Sequence, residues 1–343
     1  MKNLLGGGLI ILCSLLMSSC YNDINEIGQI SDEFYLRHKG ADLPVWVRGN
    51  ADANTFIIFL HGGPFDTAIE HAVNGEFEPL YDDYAMVFFD QRGAGYSHGH
   101  QNVNLNEDQF VEDVEVLLQL IQEKYSQAES IFLMGHSYGG YLGTAFLNKD
   151  NNQSNFKGWI ELAGAHNNPL NWLASRSFSI NYIEQNISEL NNREEWDENL
   201  NTLYNTPEIS NFEELLTING IAFEVAAVLN SGKSTFEQPS WLYNASSPVG
   251  TDFSQHHLDK VQDMLVNGNQ NPGMSRIIIP SLLIYGGEDP IVPVDLGQNG
   301  IDFLGTPIED KFLVILQSSG HSLWEFERDI FFDEVKTFIS MYE

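Results

Sequence analysis

Ile131-Phe132-Leu133-Met134-Gly135-His136-Ser137-Tyr138-Gly139-Gly140 is the stretch on which the reading of this chain turns. Four apolar residues run straight into glycine, and Ser137 has a glycine two positions away on each side. Glycine weakens a strand and adds no packing, so its presence here asks for a geometric reason. One reason is a strand that turns abruptly into a helix. Such a turn holds its middle residue in a strained conformation with the side chain exposed at the sheet edge, and the glycines leave room for it. The following residues, Gly140 to Phe146, are compatible with a helix. On this reading Ser137 is a nucleophile.

Working outward, other apolar runs of strand length end in the same way. Thr55–Leu60 runs into HGGP, Ala85–Phe89 into DQRGAG, and Trp159–Ala163 into Gly164. Ser281–Tyr285 ends at GGEDP and Phe312–Leu316 at QSSGHS. The runs are continuous rather than alternating, which predicts strands buried on both faces, as in a parallel sheet. Helical spacing separates them: Phe110, Val114, Leu117, Leu118 and Ile121 in one segment, Phe331, Val335, Phe338 and Ile339 in another. Alternating strands and helices predict an α/β fold. Phe34–Leu36 and Val45–Val47 read as early antiparallel strands. From about 167 to 275 no run resembles a central strand, and the segment is rich in Asn, Glu and aromatics such as Trp172, Phe178, Tyr182, Trp196, Tyr204, Phe223, Trp241 and Tyr243. A structureless loop of that length is implausible. The expectation is a mainly helical cap at 167–275, dividing an α/β core into residues 21–166 and 276–343.

Ligands of open parallel sheets bind beyond the carboxyl ends of the strands, where all these polar segments fall. A serine hydroxyl needs a base, and the base needs a carboxylate to orient it. His321, after the last strand, is the candidate base. Asp289, after the preceding one, is the candidate acid, with Glu288 as the neighbouring alternative. The order Ser, Asp, His agrees with such a sheet. An oxyanion would need prepositioned N–H donors. Gly63 in HGGP and Tyr138 are the candidates, with Gly62 as the alternative to Gly63. His136 is expected to point away from the reactive side, and His61 to be structural. Asp90 and Arg92 are expected to pair with each other and shape their loop. No metal-ligand set, dinucleotide fingerprint or Walker sequence is visible, so no cofactor is expected.

The chain has 343 residues, 43% of them hydrophobic and 12% aromatic, enough for a large core. Asp plus Glu number 48 against 16 Lys plus Arg, a net charge of −32, which disfavours nucleic acid as a partner. The start, MKNLLGGGLIILCSLLMSSC, has a basic residue and an apolar stretch too short to span a membrane. It reads as a signal peptide over residues 1–20 ending at a lipid-modified Cys20. Localisation is thus expected to be exported, held at a bacterial membrane through that lipid alone.

HGGP at 61–64, DQRGAGYS at 90–97, GHSYGG at 135–140, GGEDPIVP at 286–293 and GHS at 320–322 resemble the α/β-hydrolase superfamily. Within it they resemble the proline iminopeptidase family of serine peptidases. The resemblance implies a Ser–His–Asp mechanism, no cofactor, a helical cap that selects substrate, and release of an N-terminal residue, often proline, from short peptides. A carboxylesterase or amidase on small acyl substrates would use the same set. A binding protein on an inactive hydrolase scaffold is the reading from another class. Two departures stand out: Phe65 follows HGGP where the family usually has glycine, and His136 stands where it often has Gly or Arg. Acidic cap residues hold the substrate amine in the family. Glu184, Glu189, Glu194, Glu195 and Glu198 are available here, but none matches residue by residue, so substrate-binding residues are unassigned. Oligomeric state is not legible.

Overall fold

The computed structural model describes residues 28–64, 66–99, 104–231, 233 and 260–343. The expected signal peptide with Cys20, and also Phe65, Trp241 and Tyr243, lie outside the described residues.

Gln29–His38 (β1) and Ala41–Asn50 (β2) pair antiparallel, with Phe34 opposite Val45. Lys39 and Gly40 both take positive φ (42° and 84°), the two-residue turn whose twist matches that of a hairpin. β1 is longer than its apolar stretch predicts. Its exposed face carries charge, and Arg48 reaches Glu33 across the hairpin at 2.6 Å.

The remaining strands are Thr55–Leu60 (β3), Ala85–Phe89 (β4), His98–Gly99 (β5), Ser130–His136 (β6), Gly158–Leu162 (β7), Ser281–Gly286 (β8) and Lys311–Leu316 (β9). The sheet order is β1-β2-β4-β3-β6-β7-β8-β9, with β5 against β2. From β4 through β9 every neighbouring pair is parallel. Every residue of β3, β4, β6, β7 and β8 is buried, which is why those runs are continuous in sequence. β9, at the edge, is only half-buried.

Helices cover both faces: Ala68–Asn74 (α1), Glu107–Lys124 (α2), Tyr138–Asn148 (α3), Asn168–Asn186 (α4), Arg193–Asn205 (α5), Phe212–Leu229 (α6), Gln262–Asn267 (α7), Asn271–Met274 (α8), Asp295–Phe303 (α9) and Arg328–Tyr342 (α10). Asparagine starts several of them. The side chains of Asn106 and Asn211 accept from the backbone N–H groups of Gln109 and Glu214 at 2.9 and 3.0 Å. The periodic residues of α2, Phe110 to Ile121, are all buried against the sheet.

Between β7 and β8 the described residues hold helices only, besides one isolated bridge between Asn167 and Asn269. α4, α5 and α6 enclose a small core of their own: Ile183, Trp196, Leu203, Ile218, Ile221 and Val225. Phe178 and Tyr182 pack against it, whereas Tyr204 and Phe223 are exposed.

The DQRG loop departs from expectation. Asp90 and Arg92 do not pair with each other. Arg92 forks onto Asp113 of α2 at 2.7 and 2.8 Å and also donates to the carbonyls of His38 and Lys39. Asp90 instead caps α1. It accepts from the N–H groups of Ala68 and Ile69 (2.7 and 3.1 Å), the Thr67 hydroxyl (3.0 Å) and the Tyr96 N–H (2.7 Å). The physical reason is the helix start: free backbone donors point at a carboxylate there, and a guanidinium prefers a second planar fork.

Candidate active site

β6 ends at His136 and α3 begins at Tyr138, so Ser137 is the whole of the turn between them. It takes φ 54° and ψ −117°, a conformation that costs free energy for a residue with a Cβ. The strain is held from several sides. Ser137 donates its N–H to the Leu162 carbonyl at 2.9 Å, and its own carbonyl accepts from Gly140 and Ala165 at 2.9 and 3.0 Å. Neither flanking glycine of the motif has positive φ. Their role is close approach: a Cβ on Gly139 would lie 2.0 Å from the Leu60 carbonyl oxygen, and one on Gly135 2.4 Å from that of Gly139. The helix can cross the strand only where side chains are absent.

Asp289 and His321 follow β8 and β9. Asp289 is fully buried. Its Oδ1 accepts the N–H groups of Ile291 and Val292 at 2.8 and 3.1 Å, which aims Oδ2 at His321. The His321 Nδ1–H donates to that oxygen at 2.7 Å. This bond leaves Nε2 as the other nitrogen of a partly exposed ring. Glu288, the alternative acid, pairs instead with Lys233.

The two loops meet through His136. Its ring lies 4.6 Å from the His321 ring, centroid to centroid, and its Nε2–H donates to the His321 carbonyl at 3.0 Å. His321 therefore stands beside the turn that holds Ser137, although β6 and β9 are separated by two strands in the sheet.

HGGP completes the rim. Gly62 is buried against Ser137, for a Cβ there would be 3.3 Å from that of Ser137. Gly63 is exposed and turns with φ 111°, available to glycine without strain. His61 holds the loop in place. Its Nε2 accepts the Gln91 N–H at 3.0 Å, so its Nδ1–H donates to the Gly62 carbonyl at 2.7 Å. Burial drops its pKa to about 4, consistent with that neutral tautomer. Tyr138 opens α3 with its N–H on the Ser137 side and its ring buried against Phe110 and Tyr141. The first N–H groups of a helix have no partner within it.

Behind the rim lies a second polar cluster. Glu76 accepts from His71 Nδ1–H at 2.5 Å and from Trp324 Nε1–H at 2.7 Å. Trp324 stands edge-on to both His71 and His136. No sequence spacing marks Glu76, Trp324 or His136 as neighbours, since three separate connections carry them.

Helix α6 reaches the His321 loop through Asn230. This residue, just after α6, lies over Gly320, where a Cβ would meet its amide at 2.5 Å. Glu184, Glu189, Glu194, Glu195 and Glu198 are all exposed. Among the described residues no cluster of His, Cys, Asp and Glu could hold a metal ion.

Ser137 on a strained turn after a central parallel strand, with Asp289 and His321 paired on the loops after the next-to-last and last strands, defines the architecture. The chain has the α/β-hydrolase fold. The family model described as serine aminopeptidase, S33 matches residues 57–192. The proline iminopeptidase of Saccharolobus solfataricus is 23% identical over 319 residues, covering 90% of this chain and 92% of that one. A proline iminopeptidase-related protein of Thermus thermophilus superposes with a TM-score of 0.59 at 19% identity, over 91% of this chain and 98% of its own. An esterase from Rhodococcus is as similar in fold, with a TM-score of 0.58 at 17% identity over 91% and 99%. The chain thus has a fold shared by proteins named as proline iminopeptidases and as esterases.

Proposed function

We propose that this chain is a serine hydrolase that releases an N-terminal residue, proline first among candidates, from short peptides. The observation that carries the reading is the 2.7 Å contact between His321 and buried Asp289, beside a serine at positive φ. In the proposed cycle Ser137 Oγ attacks the scissile carbonyl while His321 Nε2 takes its proton. Asp289 keeps the ring in the tautomer whose Nε2 can accept, and stabilises the imidazolium. The N–H groups of Gly63 and Tyr138 hold the oxyanion. His321 returns the proton to the leaving amine, leaving an acyl group on Ser137. Water, deprotonated by His321, then attacks the acyl carbon; the bond from that carbon to Ser137 Oγ breaks, His321 returns the proton to Oγ, and the acid leaves.

The peptide substrate class follows the similarity to proline iminopeptidases; an esterase or amidase would need the same set. A panel of aminoacyl-fluorophores, proline first, beside short-chain acyl esters tests it, with Ser137→Ala as control. Turnover of the aminoacyl substrates by wild type only is expected. Turnover of esters alone would replace the peptidase by an esterase. A fluorophosphonate that fails to label Ser137 would point to an inactive scaffold. We further propose that Cys20 carries a lipid that holds the chain at a membrane. Labelling with a clickable fatty acid tests this, and a Cys20→Ala chain should take up no label.

A further inference from the structure

The oxyanion loop and the base loop are brought to the nucleophile turn by separate connections, and one ring touches all three. His136 directly precedes Ser137. Its Nε2–H donates to the His321 carbonyl at 3.0 Å, and its ring packs 4.6 Å from the His321 ring. Its other nitrogen, Nδ1, faces Gly62, where a Cβ would be 3.4 Å away. Trp324 closes the remaining side edge-on at 4.8 Å. The ring is almost wholly buried.

Because Nε2 donates, Nδ1 bears a lone pair, and that buried atom has no hydrogen-bond partner among the described residues. Burial, with His321 and His71 close by, holds the imidazole well below its usual pKa, so Nδ1 stays a bare acceptor. A buried acceptor without a donor destabilises a fold. An apolar side chain of similar volume would avoid that cost, so packing alone does not account for histidine at this position.

We propose that His136 is a positioning residue. It keys the base loop and the oxyanion loop to the nucleophile turn, setting where the His321 ring stands relative to Ser137, and it does so at a cost to stability. This role rests on the serine-hydrolase reading above. His136 touches no reacting atom in it and acts through the His321 carbonyl.

Two variants separate positioning from packing. His136→Leu keeps the volume and removes both nitrogens. His136→Gln keeps an N–H near the place of Nε2. For each, kcat, KM, the rate of fluorophosphonate labelling of Ser137, and Tm are measured on the full chain. The leucine variant is expected to lose about tenfold to a hundredfold in kcat and labelling rate, the scale of a misplacement near 1 Å, with KM little changed. Its Tm should equal or exceed that of wild type, and glutamine should recover most of the rate. A leucine variant with wild-type kcat would overturn the proposal. So would one whose Tm falls along with its rate, since that is the mark of a packing role. Wild type that takes no label would instead remove the hydrolase reading itself, and this inference with it.

Discussion

At the scale of single residues, Ser137 and Asp289 illustrate opposite kinds of constraint. Ser137 is strained, with φ 54°, while Asp289 is relaxed by two backbone donors and one imidazole. Asp289→Asn would keep the shape but present an amide to the ring and select the wrong tautomer. Under the proposed mechanism kcat should fall by about 10⁴, with Ser137 still present and the protein folded. A loss under tenfold would remove Asp289 from the triad. The flanking glycines make a separate claim about stability. At Gly139 a methyl group would collide with main-chain oxygen, which cannot swing aside as a side chain can. Gly139→Ala should cost at least about 1–3 kcal/mol, read as a lower urea midpoint with unchanged slope. The G-x-S-x-G pattern was legible as a turn. Which atoms its glycines make room for was not, because the Leu60 carbonyl that Gly139 approaches lies more than seventy residues away in sequence.

At the scale of elements, buried charges tie loops to helices. Arg92 binds α2 to the hairpin, and Asp90 starts α1. Sequence proximity suggested that these two would pair, and sequence proximity misled. Each has a better-shaped partner that only the packed helices supply. The His71–Glu76 pair at the end of α1 yields a pH dependence. Burial by itself would lower the His71 pKa, but the Glu76 carboxylate overrides this and raises it from 6.5 to about 9. Glu76, despite burial, is held below its usual 4.5, chiefly by His71. A raised folded pKa means the His71 contribution is complete below 6.5 and lost as pH climbs through about 9. The lowered Glu76 pKa means the contribution is lost again as pH falls below 4.5 toward the folded value. The pair therefore stabilises most between 4.5 and 6.5. Urea midpoints of wild type and His71→Gln, measured from acid to alkaline pH, should converge as pH rises through about 9. Curves that stay parallel would show that His71 is not charged in the folded protein.

At the scale of the whole molecule, a net charge of −32 spreads over a fold whose buried strands carry few charges. Like charges on the surface repel and favour expansion. Raising salt from about 10 to about 150 mM shortens the Debye length from about 30 to about 8 Å and should relieve this repulsion. The expected result is a Tm that rises by a few degrees across that range. The same field should draw in a substrate with a free amine, so its kcat/KM should fall with salt while that of a neutral ester stays level. A flat salt response of both Tm and kcat/KM would mean that local pairing already neutralises the surface.

Local sequence was enough for the parallel core, because strands buried on both faces must be apolar throughout. It was enough for the chemistry-bearing ends, because a chain leaving such a strand must turn at once and exposes what it carries. It was also enough to name Ser137, Asp289 and His321 as candidates, although the contact of Asp289 with His321 belongs to the tertiary structure. Tertiary structure alone decided who partners whom: His136 against His321, Arg92 with Asp113, Asp90 on α1, Trp324 between two histidines, Asn230 over the base loop. Those contacts join segments far apart in the chain. Their energies depend on direction and on shielding from water, neither of which a string of residues records.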